Sequence, residues 1–268
     1  MKLGLLSLLP VLLAARFALS PQSADPRPQP VSSVPVVVEL FTSEGCSSCP
    51  PADALLAKME TAQPFAGVEI IAIEEHVDYW NQQGWVDPFS SIDWTFRQQG
   101  YTTAFHEEGP YTPQMVVNGR TPLVGSRAEQ AVQAVKEAQR APATEVKLAA
   151  AAAGSTSEPH FAVSVGNIQG QLSPGDSAEV WLAITESGLS SAVARGENAG
   201  RNLSHASVLR SLRHIGNADS HGERVSFEGD AAAKLKSNWK RENLTAVVLV
   251  QEKKSRRILG AASIKVRG

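Results

Sequence analysis

The chain has 268 residues, enough for one large domain or two ordinary ones, and its 43% hydrophobic and 19% charged content describe a globular protein rather than a disordered one. A formal net charge of −2 provides no electrostatic footprint for nucleic acid or an anionic lipid surface. The two cysteines are too few for a zinc-finger spacing, so nucleic acid is excluded as an expected partner.

Behind Lys2 runs an apolar stretch from Leu3 to Ala15, interrupted by Pro10 and closed by Arg16. It has the length of a signal peptide and is too short and broken for a membrane span. We read residues 1–20 as a signal peptide with a weakly marked cleavage site: Ala18-Leu19-Ser20 has small residues at the right spacing, but Pro21 follows. Residues 21–34 are rich in Pro, Ser and Gln and read as a linker. The mature protein is then periplasmic or secreted, with no membrane span.

Val36 to Phe41 is a β-branched apolar run broken by Glu39, as for a central strand. Thr42-Ser43-Glu44-Gly45 is turn chemistry, and a helix is predicted behind it whose first turn carries Cys46 and Cys49. Pro50 and Pro51 are accommodated in a first helical turn, Leu55, Leu56 and Met59 form its apolar stripe, and Pro64 stops it. Val68 to Ile73 is a second strand, so the unit is βαβ with parallel strands.

From Glu74 to Tyr111 the composition changes. All three tyrosines and Trp80, Trp85 and Trp94 lie here, and Ser91 to Gln99 suggests a helix within a partly helical insert. Asn118-Gly119 between two short apolar strands predicts a type I′ hairpin. Ser126 to Glu129 has the spacing of a capping box for a helix ending near Pro142. Beyond Thr144 the pattern is of short strands at 146–152, 160–165, 178–185, 224–227, 244–251 and 258–266, which reads as an all-β sandwich. Residues 194–220 between them read as one long polar connection, with Arg195, Arg201, His205, Arg210, Arg213 and His214.

The chemistry-bearing residues are few. A disulfide between Cys46 and Cys49 closes only Ser47 and Ser48, so it adds little as a staple and suits a redox role better. Helix N-terminal N–H groups favour a thiolate, and in such motifs a thiol pKa falls from ~8.5 to roughly 3.5–7.5. Cys46 is then the attacking nucleophile and Cys49 the resolving thiol. His76, Asp78, Tyr79 and Trp80 follow the second strand, and parallel strands gather such residues at one sheet end, near Cys46. His76 either serves proton transfer or makes a hydrogen-bonded structural contact. Alternatively Cys46, Cys49 and His76 form a soft Cu(I) site. Arg97, Gln98 and Tyr101 on the insert helix read as solvated or capping residues.

Thr112-Pro113 resembles the cis-proline element that faces the active-site cysteines in thioredoxin-fold proteins. Four stretches together, Val38 to Asp53, His76 to Trp80, Gly84 to Phe89 and Tyr111 to Gly119, resemble the secreted bacterial family called domain of unknown function 1223. The likeness continues at Ala194 to Arg201. The resemblance implies a thioredoxin-like fold. The expected architecture is therefore an α/β thioredoxin-like domain (35–142) with a partly helical insert, followed by an all-β sandwich-like domain (143–268). The expected function is thiol–disulfide exchange with protein thiols or a redox partner protein. Cys46 and Cys49 carry the reaction, supported by Thr112, Pro113, His76, Asp78, Tyr79 and Trp80. No cofactor is needed beyond the disulfide, with Cu(I) the alternative. A copper-handling protein and a non-catalytic binding module with a resting disulfide are the competing readings. Glu74-Glu75 departs from the family pattern by its acidity, which disfavours a Cys46 thiolate.

Overall fold

Two parallel strands, β1 (Val34–Thr42) and β2 (Val68–His76), lie in register from Val34 beside Val68 to Thr42 beside His76, and α1 (Pro50–Ala62) connects them. This computed structural model describes residues 33–155, 157–168, 171–221 and 224–266; the signal peptide and almost all of the linker read from sequence lie outside them. The helix begins at Pro50 with Cys49 as its N-cap, so Cys46 stands in the turn before it rather than in its first turn. At the other end Gln63 adopts a left-handed conformation and caps the helix on Met59 O. Its side-chain amide pairs with both backbone groups of Ile70 (2.7 and 3.0 Å), which ties the helix end to β2.

Strand alternation gives β1 and β2 two distinct faces. Val36, Val38, Leu40, Ile70 and Ala72 pack against α1 and against α3 (Ala128–Arg140). Val37, Ile71 and Ile73 face the other way, towards Trp94 of α2 (Ile92–Ala104). Beside β1 lies the antiparallel hairpin of β3 (Gln114–Val117) and β4 (Thr121–Val124). Asn118 and Gly119 both have positive φ, 48° and 60°, as the Asn-Gly pair predicts. The capping box is not formed: the N-cap is Arg127, one residue beyond Ser126, and no side chain caps the helix.

The expected division into a thioredoxin-like domain and a separate β sandwich does not hold. The remaining strands are β5 (Val146–Gly154), β6 (Pro159–Val165), β7 (Ala178–Glu186), β8 (Leu189–Ala192), β9 (Asn202–His205), β10 (Val208–His221), β11 (Arg224–Ala232), β12 (Leu244–Glu252) and β13 (Ile258–Lys265). Among the described residues one mixed sheet runs β13-β12-β7-β10-β2-β1-β3-β4, with β11, β6 and β5 continuing from β10 to make eleven strands. β10 joins the halves: Val208 pairs with Glu74 in parallel, and the Glu74 N–H donates to Ser207 O. β2 would otherwise present an open edge beside β1, and such edges are covered in stable proteins. β7 is buried on both faces, with Val180, Leu182 and Ile184 packing with Phe161, Val163 and Val165 of β6, and Ala183 turned towards Trp94 and Val37.

The β3–β4 turn packs closely against the backbone at Arg256. A Cβ on Gly119 would lie 2.0 Å from the Arg256 carbonyl oxygen, in a backbone conformation that already disfavours side chains. Gly119→Ala is expected to destabilise the fold by about 2–4 kcal/mol, read as a lowered urea midpoint with an unchanged slope.

Candidate functional site around the Cys46–Cys49 disulfide

Cys46 and Cys49 form a disulfide at the junction of β1 and α1. Both are wholly buried, although Ser47 and Ser48 between them are exposed. The turn is set by Cys46 N–H donating to Ser43 O (3.1 Å) and by Gly45, where a Cβ would meet Trp80 Cβ at 3.0 Å. Trp80 also donates from Nε1 to Thr112 Oγ1 (2.8 Å), and the Thr112–Pro113 peptide is cis. Trp80 thus links the cysteine turn to the proline element. Pro113 and Ala52 of α1 converge on Gly125, where a Cβ would come within 3.3 and 3.1 Å of them.

Asp78 and Tyr79 turn elsewhere. Asp78 Oδ1 accepts from Thr95 Oγ1 (2.6 Å), and the Tyr79 hydroxyl donates to Gln98 Oε1 (3.1 Å), so both fix the insert helix. Burial pushes the Tyr79 hydroxyl up to about 12, which keeps it protonated.

Alternation at the end of β2 puts Glu74 and His76 on the α1 face and Glu75 on the opposite one. Glu74 Oε1 lies 3.2 Å from His76 Nε2 and 2.8 Å from Nδ1 of His205, which β9 contributes. Glu74 Oε2 accepts from the Ala206 N–H (2.9 Å). The outer nitrogen of each ring meets another carboxylate: His76 Nδ1 to Asp87 Oδ2 at 2.7 Å, His205 Nε2 to Glu44 Oε1 at 3.0 Å. Asp87 is held by the N–H groups of Glu44 and Phe89, and Glu44 Oε2 by Trp85 Nε1 (2.7 Å). Burial opposes charge throughout this cluster, but these partners win. They hold His205 at about 9 and His76 well above the usual imidazole range, and keep Glu74 and Asp87 below theirs. Asp53, on α1, has its carboxyl raised to about 7 by burial and by Glu74, against a hydrogen bond from Thr42.

Residues read as a loose connection close this site. The segment between β8 and β9 is pinned by Asn198, whose Nδ2 donates to Glu44 O and Cys46 O (both 2.9 Å), while Glu197 Oε2 accepts from the Ser47 N–H (3.1 Å). This cover lies over the disulfide turn, and the strand leaving it delivers His205. Sequence reasoning missed Asn198, Glu197, His205, Glu44 and Asp87. Glu44, Asp87, Glu197 and Asn198 all lie within the family-like stretches 38–53, 84–89 and 194–201, whereas His205 stood only among the polar residues of the 194–220 connection.

The profile of the family described as "Protein of unknown function (DUF1223)" matches residues 37–251. The chain belongs to this family. No curated protein matches it. Among solved structures, protein AGR_C_4864 from Agrobacterium tumefaciens is 26% identical with a TM-score of 0.64, over 88% of this chain and 96% of that one. HBP35 of Porphyromonas gingivalis, 14% identical, shares the fold with a TM-score of 0.61, over 87% of this chain and 76% of that one. The DUF1223 match spans both the disulfide turn and the cover that closes it.

The other face of the sheet in this DUF1223 chain carries a second buried charge cluster, and it corrects the reading of Arg97 as solvated. Arg97 Nε donates to Glu39 Oε1 (2.8 Å) and to Glu75 Oε1 (3.3 Å), Nη1 reaches Gln251, and Tyr101 donates to Glu39. Glu75 is therefore remote from the thiol chemistry it was expected to oppose. Burial, reinforced by Glu39 against Arg97, pushes its carboxyl well above the usual range. The folded protein then holds a proton that the unfolded chain has released, so this residue's contribution falls as pH rises above the ordinary glutamate range. Glu75→Gln is expected to match wild type near pH 4 and to melt at a higher temperature at pH 7–8, with a flatter dependence between.

Proposed function

We propose that this protein exchanges disulfides with protein thiols through Cys46 and Cys49, in the periplasm or outside the cell. The observation that carries the reading is the disulfide itself, closed over two residues at the β1–α1 junction. A substrate thiolate attacks Cys46 Sγ, the Cys46–Cys49 bond breaks, and Cys49 leaves as a thiolate that takes up a proton. A second substrate thiolate attacks the mixed disulfide and releases Cys46. The substrate loses two electrons and two protons, and the pair gains them. A disulfide-bearing redox partner restores the oxidised pair by the reverse steps, and the reduced pair can reduce a substrate disulfide in the same way. Thr112, which Trp80 ties to the cysteine turn, is the contact we assign to the substrate chain.

Complete burial of both sulfurs favours a second reading, a binding module with a resting disulfide. Trapping separates the two. With Cys49→Ala, Cys46 is expected to accumulate mixed disulfides with protein thiols that reductant releases, whereas Cys46→Ala traps few on Cys49. Absence of adducts on either variant would support the resting disulfide.

A further inference from the structure

We propose that Glu74, His76 and His205 form a binding site for a divalent transition-metal ion, zinc in the first instance, held beside the disulfide and separate from it. One donor atom from each of these residues lies within 4.8 Å of the others, and all three residues are buried. In tetrahedral coordination with bonds near 2.0–2.1 Å, ligand atoms are separated by about 3.4 Å. Glu74 Oε1 is already 3.2 Å from His76 Nε2 and 2.8 Å from His205 Nδ1, so small side-chain movements open the pair to an ion.

The outer contacts are those of a metal centre. A metal-bound histidine typically donates its remaining ring N–H to a carboxylate or carbonyl, which fixes the tautomer and strengthens the ligand. Here Asp87 takes that place behind His76 and Glu44 behind His205. Glu74 is arranged as a one-oxygen ligand, because its other oxygen is committed to the Ala206 N–H. Two imidazoles and one carboxylate are a donor set suited to zinc and its first-row neighbours rather than to calcium or magnesium. The fourth position falls to water. Entry follows from the fold: the β8–β9 hairpin carries His205 and its loop closes the site, so lifting that hairpin exposes the donors.

The site does not depend on the thiol chemistry, so either proposal can fail alone. The test uses the purified chain stripped with chelator and titrated with zinc alone. One equivalent is expected to bind. X-ray absorption of the loaded protein is expected to show nitrogen and oxygen ligands at about 2.0–2.1 Å with imidazole scattering, and no sulfur at about 2.3 Å. The Cys46→Ser/Cys49→Ser double variant is expected to bind equally well. Asp87→Asn, which keeps a group behind His76 but not its charge, is expected to weaken binding by about 10–100-fold. No stoichiometric binding, a sulfur ligand, or affinity unaffected by Asp87→Asn would each overturn the proposal. His76→Ala and His205→Ala are unsuitable alone, because their loss threatens the fold.

Discussion

His205→Ala is expected to destabilise the protein by about 3–5 kcal/mol, seen as a large drop in the urea midpoint. The loss comes from what remains behind. His205 is the group between Glu44 and Glu74, at 3.0 and 2.8 Å, and both carboxylates are buried. Removing one partner of a buried ionic network leaves uncompensated charge in a poorly screened interior, and such losses match those of the larger core truncations. His205 also lies on the strand leaving the cover, so the cover should loosen in the same variant. A change under 1 kcal/mol would mean that water enters this cluster and that it is not sealed.

The second large effect concerns access to the disulfide. Asn198 donates to the carbonyls of Glu44 and Cys46, and it is itself buried. Asn198→Ala removes both bonds, each worth roughly 0.5–1.5 kcal/mol net, so opening of the cover becomes about 1–3 kcal/mol easier. Reduction of Cys46–Cys49 by a small dithiol should accelerate by roughly 5–150-fold where opening limits the rate. Thiol labelling after reduction should rise in parallel. An unchanged rate would show that reductant reaches the sulfurs past Ser47 and Ser48 without the cover moving.

Local signals were legible in the sequence because their physics is local. The β-branched run at Val36, the prolines after Cys49, the Asn118-Gly119 pair and the sequence order of strand, helix and strand each specify their own backbone, and each is found. What failed was the long-range pairing. β10 carries register shifts between Leu209 and Ser211 and between His214 and Gly216, which break the alternation a strand would otherwise show. Its arginines and histidine then read as a polar connection, although this strand fuses the two halves into one sheet. Buried charges were misread for a related reason. Arg97 looked solvated because Glu39 and Glu75 are 58 and 22 residues away in sequence. Glu74 looked like a charge opposing the thiol because His205, 131 residues away, was not yet beside it. Glu39 interrupting an apolar strand was the one local hint that a buried cation lay opposite.

Whether Cys46 and Cys49 exchange or rest is decided by the reduction potential of the pair. The purified chain is equilibrated against reduced and oxidised glutathione, and the fraction of disulfide is read by mass after alkylation in denaturant. A potential above about −300 mV, with equilibrium reached through exchange, is the predicted result. A potential below that value, with a disulfide that glutathione leaves intact even in the Asn198→Ala variant, would rule out exchange and leave Cys46–Cys49 as a sealed structural link.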